Sequence, residues 1–374
     1  MSNKKCLIVN FAPHYRYSIY KKMSEDLFFD FYFGNKVETD SLIRTMDFSR
    51  FLTEHHEIPN LFFPYTHFYW QKGVTNLLKK YDIIVVVGEL YCITTWIIGF
   101  FNRIFYKKKV IFWTHGMYGD ESFIKRAIKR VFFSLPNRIL VYGNHAIDLM
   151  KRNGINSEKL YLVHNSLDYD NQCRIVSSMP KENPFPALFH NNHSTIVFSG
   201  RLTPEKHLNL LIETLFLLKN EKCFINCLII GDGSERLNLE QDVIKYKMED
   251  SVLFYGECYN ETTLGLMYWN AALCVCPGRI GLTAIHAMTF GCPVLTHNIF
   301  SKHSPEFEAI LPNVSGDFFI CDDMDSLKDY IKKWVSISKR EREVCNRNCR
   351  DIIRKDWNPS YQIRIINEAI LSAT

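Results

Sequence analysis

The sequence predicts an α/β chain of two doubly wound, Rossmann-like domains facing each other across a cleft. Three observations lead there. Short apolar runs alternate with helical periods along the whole chain, as buried parallel strands joined by crossover helices do. The runs fall into two sets, parted by the polar stretch 168–194, which holds Pro180, Pro184 and Pro186 and shows neither helical nor strand period. With 374 residues and 47% hydrophobic content, the chain is long enough to bury two cores.

The first set of expected strands is 5–11, 28–33, 83–87, 110–113, 138–141 and 160–163, and the second is 195–199, 225–230, 252–255, 273–276 and 294–296. They divide the chain into an amino-terminal domain 1–170, a linker 171–194, a second domain 195–355 and a terminal helix 356–374 that crosses back to the first domain. Ligands bind beyond the carboxyl ends of the strands in such sheets, so the expected site lies between the domains. There is no internal repeat and no low-complexity segment.

The segment 271–308 carries the most chemistry. Its apolar run 272–276 is bounded by Pro277-Gly278, a helical run begins at Gly281 and stops at Gly291, and Pro293 opens the next strand. A strand that feeds a helix start through glycines leaves backbone N–H groups and the positive end of a dipole for a pyrophosphate. A second cradle occupies 195–207, where a strand ends in Gly200, Arg201 follows and Lys206 comes five positions later. Read together, the two cations clamp a diphosphate, the arginine by its planar fork and the lysine as a point charge. Read separately, they are solvated surface charges.

Five signatures then occur in one order: Gly200-Arg201-Leu202 with Glu205-Lys206, Leu228 to Gly233, Val252 to Gly256, Pro277 to Val294, and Trp357 near the end. With Asn165-Ser166-Leu167-Asp168 ahead of them, they resemble glycosyltransferase family 4, over roughly 135–374 closely and over the first third in pattern only. The resemblance implies the GT-B architecture, a nucleotide diphosphate sugar donor, retention of anomeric configuration, and no metal or other cofactor. It implies that Arg201 and Lys206 stabilise the departing diphosphate, that Gly200, Gly278, Gly281, Leu282 and Thr283 cradle the donor, and that Gly256 and Glu257 lie by its base.

The chain departs from that family at the strand-to-helix turn. Two glutamates usually stand there eight positions apart, and the matching positions here are Gly278 and His286. A neutral imidazole accepts one hydrogen bond where a carboxylate accepts several, so His286 covers part of a ribose-binding role, or else is an ordinary core histidine. Glu306, in Pro305-Glu306-Phe307-Glu308, is the candidate replacement for the first glutamate, and both acids also suit a plain helix start. Glycine, histidine and this acidic run together resemble a bacterial surface-polysaccharide variant of the family.

In the first domain, the turn after the first strand carries His14, Tyr15 and Arg16, candidates for the acceptor side. His115 ends the strand 110–113 and is similar in place to a histidine that lies near the donor sugar in the family, while Glu89 is a weaker carboxylate candidate.

Twelve cysteines occur singly, several in apolar runs, and the chain starts MSNKK without a signal-peptide pattern, which points to reduced thiols in the cytoplasm. Cys345 and Cys349 lack a second ligand pair, so no metal is expected. The apolar and then basic segment 96–109 and the cationic segment 125–133, in a chain of formal charge +5, suggest a peripheral contact with an anionic membrane surface. No recognition helix or aromatic platform indicates nucleic acid. The expected activity is transfer of a sugar to a lipid-linked or polysaccharide acceptor. The alternatives are a non-catalytic partner of another transferase and an epimerase on the same fold.

Overall fold

The protein is described here from a computed structural model, which covers residues 3–35, 45–49, 51–180 and 182–373. It divides into two compact units, Met1–Asp168 with Asn358–Thr374, and Tyr169–Trp357.

The first unit contains β1 (Lys5–Val9), β2 (Phe29–Gly34), β3 (His55–Ile58), β4 (Asn60–Phe62), β5 (Tyr69–Gln71), β6 (Ile83–Val87), β7 (Lys109–Thr114), β8 (Arg138–Val141) and β9 (Leu160–Leu162). Seven of these form a parallel sheet in the order β3-β2-β1-β6-β7-β8-β9, and β4 and β5 pair as a separate antiparallel hairpin. Strand order reverses between β1 and β6, which opens a crevice at their carboxyl ends.

The side-chain period of two sends alternate residues to opposite faces of this sheet. Leu7 aligns with Phe31 and Val85 and joins a core with Ile366 and Ala369 of the helix Pro359–Ser372. Its neighbour Ile8 aligns with Tyr32 and Val86 and joins a second core with Phe132 and Phe133 of the helix Phe123–Ser134. Each fully buried leucine, isoleucine or phenylalanine here contributes about 1.5–3 kcal/mol. The helix Pro359–Ser372 is fixed further by Tyr161 Oη donating to Ser372 Oγ at 2.5 Å and Lys109 Nζ donating to the Ile370 carbonyl at 3.1 Å. Asn358 caps its start, accepting from the Tyr361 N–H at 2.9 Å.

The second unit contains β10 (Thr195–Ser199), β11 (Asn226–Ile230), β12 (Val252–Gly256), β13 (Leu273–Cys276), β14 (Val294–His297) and β15 (Gly316–Phe319). They form one parallel sheet, β12-β11-β10-β13-β14-β15, whose order reverses between β10 and β13. The two cradles read from the sequence therefore follow the two strands that flank this switch point.

Every expected strand is present, but the stretch 168–194 differs from expectation. It holds the helices Tyr169–Ser177 and Phe185–Phe189, with Phe185 and Phe189 buried. Its prolines cluster at 180–186, between and at the start of these helices, where they end one and open the other. Among the described residues, no helix is long and apolar enough to cross a membrane.

Candidate functional site

In the second unit, the loops after β10 and β11 are sewn together by their backbones. Gly200 N–H donates to the Ile230 carbonyl at 3.0 Å and Leu202 N–H to the Asp232 carbonyl at 2.9 Å. A side chain on Gly231 would place its Cβ 1.9 Å from the Gly200 carbonyl oxygen, so glycine is required for this approach. Arg201 lies in the sewn loop, exposed, its carbonyl accepting from the Thr203 N–H at 3.1 Å and its guanidinium with no hydrogen-bond or ionic partner among the described residues.

Lys206 reaches across the switch point and donates to the Arg279 carbonyl at 2.6 Å. The turn after β13 answers through its own backbone, with Gly278 N–H donating to the Lys206 carbonyl at 3.0 Å and Arg279 N–H to the Glu205 carbonyl at 2.9 Å. A Cβ on Gly278 would lie 2.0 Å from the Glu205 oxygen, so the position that matches the first glutamate of the family the sequence resembles cannot hold a side chain in this conformation.

The Ile280 N–H is taken as well. It donates to His303 Nδ1 at 3.2 Å, while His303 Nε2 donates to the His297 carbonyl at 2.8 Å, which sets the tautomer. His303 stacks on His297 with ring centroids 4.0 Å apart, and burial lowers each pKa to about 4. The turn thus corrects the expected glycine cradle, because the N–H groups of residues 278–280 are spent on the protein itself. Gly281 and Leu282 are the first whose N–H groups have no partner among the described residues. The helix that follows, Thr283–Thr289, runs for only seven residues.

Thr283 Oγ1 donates to the Ser199 carbonyl at 3.0 Å, joining that helix to the end of β10. Glu306 is buried on the segment Pro305–Ala309, and its Oε2 would stand 3.8 Å from a Cβ on Gly281. The structure therefore gathers Gly200, Lys206, Gly278, Gly281, Leu282, Thr283 and Glu306 around one switch point. Gly256, the last residue of the edge strand β12, accepts from the Gly231 N–H of the sewn loops at 2.8 Å, and Glu257 follows it, exposed.

His286 is neither a solitary core histidine nor a free imidazole. Its Nε2 donates to Glu261 Oε1 at 2.8 Å, and the same oxygen accepts from Gln172 Nε2 at 2.7 Å. Burial pushes the Glu261 carboxyl up, but the bonds from His286 and Gln172 outweigh it and hold the group below its ordinary value. Glu261 opens the helix Glu261–Asn270 and Gln172 lies on Tyr169–Ser177, so sequence inspection of the helix carrying His286 misses both. The one signal available was the Asn260 cap that fixes where the Glu261 helix begins.

In the first unit a cavity of about 460 Å³ opens at the carboxyl ends of β1, β6 and β7. Tyr15, Arg16 and His115 line it, as does Glu89, whereas His14 is exposed and is not among its lining residues. Arg16 donates to Tyr142 Oη and lies over the rings of Trp113 and Tyr142, 5.3 and 5.0 Å from their centroids. His115 packs on Tyr142 at 4.6 Å.

The loop after β7 is held by a buried ion pair that the sequence did not reveal. Lys129 Nζ donates to Glu121 Oε1 at 2.6 Å and to the Gly116 carbonyl at 2.9 Å. Glu121 also accepts from the Tyr118 and Gly119 N–H groups at 2.9 Å each. Burial alone would raise that carboxyl, yet Lys129 and the two N–H groups bring it down to about 2. Lys129 is therefore withdrawn from the cationic face expected at 125–133, and Lys108 and Lys109 are likewise engaged, by Asp82 and the Ile370 carbonyl. The cations left exposed are Arg103, Lys107, Lys125, Arg126 and Arg130, beside exposed Phe105, Phe123, Ile124 and Val131. Among the described residues, no group of three or more His, Cys, Asp or Glu side chains is arranged to hold a metal ion.

Residues 180–351 match the family model described as "Glycosyl transferases group 1". No curated protein matches the chain by sequence. The chain is similar in structure to Anabaena Alr3699/HepE in complex with UDP, at 14% identity and a TM-score of 0.73, covering 99% of this chain and 100% of that one. It is similar to the apo form of the lipopolysaccharide outer core galactosyltransferase WaaB, at 14% identity, TM-score 0.70 and the same coverage. The sucrose-phosphate synthase of Thermosynechococcus elongatus is a third, at 14% identity and TM-score 0.69, again over 99% of this chain and 100% of that one. The fold is thus that of the GT-B glycosyltransferases, and the group 1 model falls within the second unit.

Proposed function

We propose that the protein is a retaining, metal-independent hexosyltransferase of family 4, which moves a sugar from a nucleotide diphosphate donor to a lipid-linked or polysaccharide acceptor. The observation that carries this reading is the convergence of Arg201, Lys206 and the first unpartnered N–H groups, Gly281 and Leu282, on the switch point of the second unit. Positioned cations and dipoles act where charge appears in the transition state. A diphosphate leaving group seated there would meet the free fork of Arg201 and the two remaining protons of the Lys206 ammonium.

In this reading His286 turns Nδ1 toward a ribose hydroxyl while Glu261 holds Nε2, so the carboxylate missing from the helix acts from its neighbour through the imidazole. Glu306 supplies the acid beside the donor sugar. Tyr15 and Arg16 serve the acceptor in the first unit, and His115 is the histidine of that unit that serves the donor sugar. HepE is described with UDP and with UDP and glucose, and WaaB as acting on lipopolysaccharide, which supports a nucleotide sugar and a role in surface polysaccharide, such as O-antigen or capsule. The exposed apolar and cationic residues of 100–131 support peripheral attachment at the cytoplasmic face of the membrane.

A second reading, a non-catalytic partner of another transferase, is favoured by one observation: Gly278 leaves no space for the usual donor-facing carboxylate. Thermal stabilisation by UDP, GDP, CDP and dTDP separates the two readings. Ligand at about 100 times its dissociation constant adds about 2.7 kcal/mol. One nucleotide should stabilise the wild type and fail to stabilise Arg201→Ala with Lys206→Ala; stabilisation by none of the four would favour the partner reading.

A further inference from the structure

The cavity of the first unit has a charge pattern that bears on the chemical class of its ligand. Arg16 is half-buried on its wall, held by Tyr142 Oη and by the faces of Trp113 and Tyr142. Among the described residues no carboxylate pairs with it. Aromatic faces recover part of a guanidinium's lost hydration, but they accept no N–H bonds, and five such donors are presented in a fixed fork. A carboxylate or a phosphate satisfies that fork by two parallel bonds.

The other charges of the cavity do not supply that anion. Lys129 and Glu121 neutralise each other at 2.6 Å. Glu89, the one carboxylate among the described lining residues, already accepts on Oε2 from Asn10 Nδ2 at 3.1 Å and from Tyr69 Oη at 2.6 Å. Those bonds orient it and leave Oε1 to accept from a hydroxyl. Lys125, also on the wall, is exposed and lies 6.0 Å from the Tyr91 ring centroid, so the lining is cationic in excess. A volume of about 460 Å³ falls within the range of sites that enclose one small ligand.

We propose that this cavity binds the acceptor, and that the acceptor is anionic: a sugar bearing a carboxylate or a phosphate whose charged group seats on Arg16 while a hydroxyl donates to Glu89. This rests on the transferase reading for the word acceptor, though not for the binding itself.

The test titrates the full-length protein calorimetrically with glucose, glucuronate, glucose 6-phosphate and inorganic phosphate, and separately with the nucleotide diphosphates. Both anionic sugars, or one of them, should bind at least about tenfold tighter than glucose, and Arg16→Gln should remove that preference while nucleotide affinity is unchanged. Glucuronate as the tighter ligand identifies an acidic sugar. Glucose 6-phosphate as the tighter, displaced by inorganic phosphate, identifies a phosphate-bearing acceptor. Glucose binding as well as both anionic sugars overturns the proposal, as does an anionic preference that survives in Arg16→Gln, or absence of saturable sugar binding in the millimolar range. The wild-type comparison among ligands stands even if the variant does not fold. Absence of nucleotide binding by the wild type, with its anionic preference present, would instead count against the transferase reading alone.

Discussion

Glu261 Oε1 accepts hydrogen bonds from His286 Nε2 at 2.8 Å and from Gln172 Nε2 at 2.7 Å, which ties three helices of the second unit at one carboxylate oxygen. The arrangement fixes the ring of His286 and keeps a negative charge behind it. With Nε2 donating to Glu261, a neutral ring has Nδ1 as its acceptor.

Glu261→Gln retains a hydrogen-bonding shape and removes the charge. Hydrogen bonds to charged groups contribute about 1.5–3 kcal/mol, so the variant should lose roughly ten- to a hundredfold in kcat/KM for the donor. Steady-state kinetics over a donor range checks it. Unchanged donor kinetics with a lowered melting temperature would assign the pair a purely structural role.

How much of this was legible in the sequence differs by element. The strands β1, β6 and β10 are continuous apolar runs and were readable, because a strand buried on both faces leaves that trace. The edge strand β3 has three exposed residues in four, so it lacked one. The helices at 169–177 and 185–189 were hidden by prolines that punctuate them. For the site, Arg201 and Lys206 were visible because a loop motif keeps its residues close in sequence. Glu261 and His303 were not, since each acts through a partner more than twenty positions away and neither helix periodicity nor local spacing reports such a pair.

Gly278→Glu, the substitution that the resemblance to family 4 would suggest as a restoration, should harm this protein. Its Cβ would stand 2.0 Å from the Glu205 carbonyl oxygen, in contact with backbone that also positions Lys206. Overpacking costs about 1–3 kcal/mol where side chains can yield, and main chain yields less. A fall in melting temperature together with weaker nucleotide binding is expected. A stable variant with increased transferase activity would show that the loop 203–207 moves freely.

Lys129→Ala should be far more damaging than Lys125→Ala, although the two lie on the same helix. Removing one member of a buried pair leaves the other uncompensated and costs about 3–5 kcal/mol, whereas an exposed lysine contributes within about 1 kcal/mol. Urea unfolding of the two variants measures the difference directly. Because Glu121 also holds the Tyr118 and Gly119 N–H groups, Lys129→Ala should in addition disturb the loop beside His115.

Acid should destabilise the protein in two stages. His164, His297 and His303 each have a folded pKa of about 4 against an ordinary value of 6.5, with burial the leading cause. The unfolded chain therefore binds protons that the folded chain refuses, and their contribution is complete above pH 6.5 and lost as pH falls from there toward 4. Glu121 follows, because its folded value of about 2 lies below the ordinary 4.5, so its contribution is lost between those values. His303→Asn offers an amide oxygen in place of Nδ1 for the Ile280 N–H, so the first stage should shrink in this variant while the second stays. Melting temperatures at a series of pH values, read for wild type and variant side by side, decide it. An unaltered slope between pH 6.5 and 4 would mean that His303 already carries a proton in the folded protein, and that Ile280 N–H is held by something else.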